Sequence, residues 1–173
     1  LLEEGHSADL VIVGTLKKMD VKETWIEGIK VFDNGTRYFE YKPDKPVNNF
    51  RSSRIKQSDI KAVRIGGAIR VIQASDGELL TKEIRINVPS GDEVKADPLK
   101  DILKIIVKDR YNDSPPAIGL ISGFGLKDGA FAGTIAHDSH NIICVGTNDN
   151  DITKAINELV KIKGGLAVSL NGR

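Results

Sequence analysis

The sequence predicts an α/β protein of the α+β type, in which a small, partial β-sandwich piece precedes a compact α/β domain with a mixed sheet. Three observations indicate this class. Short apolar strands separated by glycine turns occupy residues 8–32. Apolar and polar side chains alternate at 69–72 and 84–88, which is typical of half-buried strands. One strongly periodic helix lies near the end of the chain.

The β-sandwich piece is predicted over residues 1–40. Within it, Ala8–Val13 has the length and apolar content of a buried strand. Residues 24–32 predict a hairpin that turns at Gly28, because glycine adopts turn conformations without steric cost. The tract 41–59 follows with two closely spaced prolines and a run of polar residues, so we interpret it as a linker.

The α/β domain is predicted over residues 60–173. Its first two strands flank Asp76-Gly77, a pair that favours a hairpin turn. Leu103–Val107 is compatible with a strand or a helix, and its β-branched side chains favour a strand.

The clearest helix is predicted over Asp151–Lys163, where apolar side chains recur at helical spacing and lysines occupy the last turn. Asn148 or Asp149 can cap its first turn. The strand predicted at Ile142–Val145 precedes this helix and another at Leu166–Leu170 follows it, so the region resembles a βαβ unit.

Composition limits the classes of partner. The net charge is +1 and basic residues form no run, which argues against nucleic-acid binding. Apolar runs such as Leu10–Val13 are far too short for a membrane span. The single cysteine, Cys144, lies in an apolar run, so we expect a core residue and not a nucleophile. A lone thiol also favours a reducing, cytoplasmic location.

The strongest candidate for chemistry is the hexapeptide Ala136–Asn141, called the histidine motif below. It stands between two apolar strands, so we expect its polar side chains at a solvent-accessible strand end. His137, Asp138 and His140 supply imidazole and carboxylate groups, which can transfer protons or bind a transition metal. A polar turn that hydrogen-bonds its own backbone is the alternative interpretation.

A second glycine-rich segment, Ser122–Gly129, could let the backbone approach a ligand. Its glycines do not have the spacing of a dinucleotide or phosphate loop. We therefore interpret it as a turn that joins two strands.

Two longer stretches resemble a known family. Gly129–Gly146, with the sequence GAFAGTIAHDSHNIICVG, is similar to the carboxy-terminal domain of bacterial and archaeal adenine deaminases. The segments 122–129 and 164–168 extend this likeness. Gly5–Val31 resembles the segment that follows the barrel in amidohydrolase-type enzymes, where the chain returns to a small β-sandwich.

The resemblance implies a fragment of a hydrolase that converts adenine and water to hypoxanthine and ammonia. A binuclear manganese or iron centre activates the water in such enzymes. Its ligands lie on a barrel that would precede Leu1. The fragment itself is therefore expected to be inactive and to require no metal. Adenine would be the substrate of the intact enzyme, and the sequence leaves homo-oligomer formation open.

The histidine motif is the part of this chain to which a role in that enzyme could be transferred. His137 and Asp138 are candidates for accessory catalytic roles, and Ser139, His140 and Asn141 for substrate binding. His137 and His140 are also candidate ligands of an auxiliary metal. The alternative is a non-catalytic structural, oligomerisation or ligand-sensing module, in which the motif is only a turn.

Overall fold

The computed structural model describes residues 3–45, 48–63, 67–87 and 91–173. The chain divides into two compact units, Leu1–Pro46 and Val47–Arg173. The described parts combine one α-helix with a four-stranded and a seven-stranded sheet, which confirms the predicted α+β class. Within those parts, no helix has the length and apolar character needed to cross a membrane.

The first unit is an antiparallel meander of four strands in the order β1-β2-β3-β4. Glu27 and Gly28 form the predicted hairpin turn with φ angles of +50° and +75°, a geometry that matches the twist of the flanking strands. The predicted first strand forms, but the prediction that it is buried was wrong, because no residue within 3–45 is buried. The strands are β1 (Leu10–Val13), β2 (Val21–Ile26), β3 (Ile29–Asp33) and β4 (Thr36–Arg37).

The second unit is built on a mixed sheet with strand order β11-β9-β10-β7-β8-β5-β6. Its pairs are antiparallel except for β5 and β8, which run parallel. The strand predicted at 84–88 lies at Lys82–Ile86, and Val88 lies outside the described residues. The strands are β5 (Ile69–Gln73), β6 (Lys82–Ile86), β7 (Leu103–Lys108), β8 (Ala117–Ser122), β9 (Ala130–Gly133), β10 (Ile142–Gly146) and β11 (Leu166–Ser169).

Helix α1 (Asp149–Ile162) covers one face of this sheet. Asn148 caps it, since its side-chain oxygen accepts a hydrogen bond from the Asp151 amide at 2.9 Å. The apolar stripe is fully buried against small side chains of the sheet. Strands β10 and β11, which α1 connects, are not neighbours as in a simple βαβ unit, because β9 lies between them and is antiparallel to both. The buried stripe consists of Ile152, Ala155, Ile156 and Leu159.

Residues 48–59, which we interpreted as linker, belong to the second unit. The side chain of Ile55 is buried in the core beside α1. The Asn157 side chain on α1 accepts a hydrogen bond from the Ile55 amide and donates one to the Ile55 carbonyl, both at 2.9 Å. This reciprocal pair satisfies the Ile55 backbone as a neighbouring strand would, and a short 3-10 helix at Gln57–Ile60 follows it.

Lys104 on β7 is almost completely buried, with 1% of its side chain exposed. Its ammonium group donates to a carboxylate oxygen of Asp149 at 2.6 Å and to the carbonyl of Ile60 at 3.1 Å. Asp149 stands in the first turn of α1, where the helix dipole also favours a negative charge. The ammonium group therefore connects the sheet, the start of α1 and the segment before β5.

Replacing Lys104 with alanine tests this connection. Lys104→Ala leaves Asp149 and the Ile60 carbonyl without their charged partner, so we expect the free energy of unfolding to fall by roughly 3 kcal/mol. Urea unfolding followed by circular dichroism measures the change. The matched control is Lys161→Ala, which removes an exposed pair with Glu158 and should leave the midpoint nearly unchanged. Equal effects of the two substitutions would contradict the assignment.

Candidate functional site

The histidine motif lies in the loop that joins β9 to β10, at an exposed end of the sheet. His137, Asp138, Ser139 and His140 are exposed, and Asn141 is half-buried. The backbone turns inside the motif, where the His140 amide donates to the Ala136 carbonyl at 2.7 Å. The solvent-accessible strand end expected from the flanking apolar strands is therefore present.

Two side chains of the motif form a contact that suits proton transfer. Nε2 of His137 lies 3.3 Å from a carboxylate oxygen of Asp138, and both side chains are more than 90% exposed. A carboxylate in this position can accept a hydrogen bond from the imidazole and orient its ring. The pair is thus available to a molecule that approaches from solvent.

The ring of His140 is oriented differently. Its Nδ1 lies 3.2 Å from the Thr134 carbonyl. Because a carbonyl only accepts hydrogen bonds, this contact requires a proton on Nδ1. In the neutral ring, Nε2 then carries the lone pair that a hydrogen-bond donor or a metal can use.

Ser139 and Asn141 take part in the local structure of the loop. The Asn141 side-chain oxygen accepts a hydrogen bond from the Arg110 backbone amide at 3.3 Å. The Asn141 backbone amide donates to the Ser139 hydroxyl at 3.4 Å. The structure therefore pairs His137 with Asp138, and directs His140 and Asn141 toward Thr134 and Arg110.

The donor set of the motif does not fit a metal centre by itself. Across the ranges that the structure describes, no group of three or more His, Cys, Asp or Glu side chains could hold a metal ion. Protein zinc sites use at least three such ligands. No chemical step is therefore assigned to a metal held by these residues.

An apolar surface adjoins the motif and was missed in the sequence. Ile135 and Ala136 line a hollow of about 240 Å³, together with Phe131 and Leu166. Ile135 is 64% exposed and Leu166 57% exposed. Phe131 alternates on β9 with buried Ala130 and Ala132, which indicates that the opposite sheet face carries the larger side chains. Clustered exposed apolar groups mark surfaces that contact other molecules or domains.

The glycine-rich segment 122–129 is a turn in which two backbone amides already bind a carboxylate of the chain. A carboxylate oxygen of Asp101 accepts from the Gly123 amide at 2.6 Å, and the other accepts from the Gly125 amide at 2.8 Å. Gly123 has a φ of +98°, and a side chain there would collide with the Ala74 backbone. These amides are therefore already bound to a protein carboxylate, in agreement with the predicted turn.

The second unit is thus an α+β domain, in which α1 packs on a mixed sheet and the exposed histidine motif forms a polar site at one end of the strands. Residues 78–173 match the family described as "Adenine deaminase C-terminal domain". Since this match spans more than half of the chain, the chain belongs to that family.

Individual relatives extend the similarity beyond the matched domain. The adenine deaminase of Methanosarcina mazei is 42% identical over 97% of this chain and 33% of that protein. The adenine deaminase of Methanosarcina acetivorans is 44% identical over 97% of the chain and 32% of that protein. That of Salinibacter ruber is 37% identical over 99% of the chain and 32% of that protein. The chain spans about a third of the length of these relatives.

Cys144 is fully buried on β10, and burial raises the pKa of its thiol to about 12. The thiolate is the reactive form of cysteine, so we expect the folded chain to resist alkylation by iodoacetamide at pH 8. Mass spectrometry should find one modification in 6 M guanidinium and essentially none in buffer. Rapid labelling of the folded chain would show that Cys144 is accessible.

Proposed function

We propose that this chain is the carboxy-terminal part of an adenine deaminase, an enzyme that hydrolyses adenine to hypoxanthine and ammonia. The observation that carries the proposal is the similarity to proteins named adenine deaminase, at 36–44% identity over almost the whole chain. A cytoplasmic location suits the single free thiol of Cys144. Adenine would be the substrate of the intact enzyme.

The centre that activates water is proposed to lie in the two thirds of the enzyme to which this chain does not align. The lack of a fitting ligand set among the described residues supports this division. The manganese or iron of the intact enzyme would then be held by other residues, and the role of this chain would be to contact the substrate.

Within that enzyme, the histidine motif is proposed to line the mouth of the active site. The exposed pair of His137 and Asp138 could give a proton to the departing amino group or take one from water. His140 could accept from the purine through Nε2, because its Nδ1 is committed to Thr134. Ser139 and Asn141 offer hydroxyl and amide groups of the kind that bind ring nitrogens.

The apolar surface beside the motif supports this location. Ile135 and Leu166 expose large apolar side chains to water, at a free-energy cost that packing against another part of the enzyme would remove. Such packing would hold the motif against the part of the enzyme that binds adenine.

A second function stays open because some polar groups of the motif already bind other residues of the chain. The contacts of His140 with Thr134 and of Asn141 with Arg110 are those of a structural turn. The chain would then be a non-catalytic structural, oligomerisation or ligand-sensing module of the same enzyme.

The first prediction of this proposal concerns the isolated chain. The purified 173-residue chain should not release ammonia from adenine, with or without added manganese, because the proposed metal ligands lie elsewhere. A coupled ammonia assay measures this against a blank that contains only metal. Sustained release above that blank would show that the active site lies within this chain.

The second prediction concerns the motif in the full-length enzyme. His137→Ala or Asp138→Ala should lower kcat roughly 100-fold, as expected for loss of a general acid–base group, and should hardly change the melting temperature. Glu78→Ala, in the exposed loop between β5 and β6, is the matched control and should change neither. Parallel loss of activity and stability would favour the structural module, and unchanged kinetics would eliminate the catalytic role.

A further inference from the structure

We propose that Arg110 is the positioning residue of the histidine motif, and that it fixes the motif to the segment 48–52. Arg110 lies two residues beyond the end of β7. This is the end of the sheet at which the motif leads into β10, the neighbour of β7. Arg110 contacts the motif and the segment at once. Its importance for catalysis rests on the proposed function, whereas its positioning role follows from its contacts.

The first set of contacts holds the end of the motif. The Arg110 backbone amide donates to the Asn141 side-chain oxygen at 3.3 Å. Its Nη1 donates to the His140 carbonyl at 3.4 Å. Backbone and side chain of the same arginine thus bind two consecutive motif residues.

The second set of contacts holds the segment 48–52. Nη2 of Arg110 donates to the Asn48 side-chain oxygen at 2.8 Å, and the Asn48 side chain donates in turn to the Lys163 carbonyl after α1. The Arg110 carbonyl accepts from the amides of Arg51 and Ser52 at 2.7 and 3.2 Å. A continuous path of hydrogen bonds therefore runs from the end of α1 to the motif.

The contacts of Arg110 use the shape of the guanidinium group. The guanidinium group lies over the rings of Phe50 and Tyr111, at 5.4 and 5.3 Å from their centroids. Stacking fixes the plane of the fork, so that its two ends point to acceptors on different segments. A lysine keeps the charge but carries all its donors on one nitrogen, so it cannot reach the two acceptors through separate nitrogens as the guanidinium group does.

The motif needs such support because His140 has a φ of +53°. Residues other than glycine rarely adopt this backbone conformation, and it persists where neighbouring groups hold it. The Ala136 carbonyl, the Thr134 carbonyl and the Arg110 guanidinium are the groups that hold His140. Loss of the guanidinium contact should let His140 leave this conformation and release its ring from Thr134.

Nuclear magnetic resonance of the 173-residue chain tests the proposal directly. In Arg110→Lys, hydrogen exchange of the His140 amide should accelerate at least tenfold, and the imidazole ¹⁵N signals of His140 should shift. Exchange in the centre of β10, at Cys144, should stay as in the unchanged chain. Asn48→Ala should alter the same His140 signals in the same direction, although the hydrogen bonds of Asn48 go to Arg110 and Lys163 and not to His140. Arg85→Lys, on exposed β6, is the control and should alter none of them.

The outcomes separate cleanly. Unchanged His140 signals in Arg110→Lys would overturn the positioning role, as would equal loss of protection at His140 and Cys144, which indicates general destabilisation. Unchanged signals in Asn48→Ala would overturn the link to the segment 48–52. Displacement of the motif in Arg110→Lys, combined with full turnover of His137→Ala in the intact enzyme, would preserve the positioning role and refute the proposed function.

Discussion

The close approach of α1 to β9 and β10 is the constraint on which the second unit depends. Ala130 and Ala132 present small side chains to the helix, and a side chain at Gly146 would collide with Ile152 and Ala130. The start of α1 then meets the buried ammonium group of Lys104, and its end meets Asn48. Since the helix covers only one sheet face, the larger apolar groups on the other face stay exposed beside the histidine motif.

Much of this architecture could be predicted from local patterns. Helical spacing identified α1, and the polar residues between two apolar strands located the motif at a strand end. The packing of residues 48–59 could not be predicted, because Ile55 is an isolated apolar residue and its backbone partner, Asn157, is distant in sequence. The burial of Lys104 was hidden in the same way, since its partners Ile60 and Asp149 are distant in sequence.

The candidate site shows the same division between local and long-range information. The residue types and their exposure could be predicted from the sequence. The direction of each ring could not, because it is set by partners outside the motif, as Thr134 sets that of His140. Arg110 gave no signal of its own, since a single arginine after a strand is unremarkable until the fold brings Asn48, Phe50 and the motif around it.

The packing of Ile55 and β5 also shows that the compact second unit and the family match do not begin at the same residue. The family match begins at residue 78, inside the loop between β5 and β6, so it omits the strand that pairs with β8. A chain trimmed to that boundary would lose a sheet strand, and one trimmed at residue 60 would expose the groove that Ile55 fills on α1. The compact second unit therefore includes residues 48–77, the thirty residues that precede the family match.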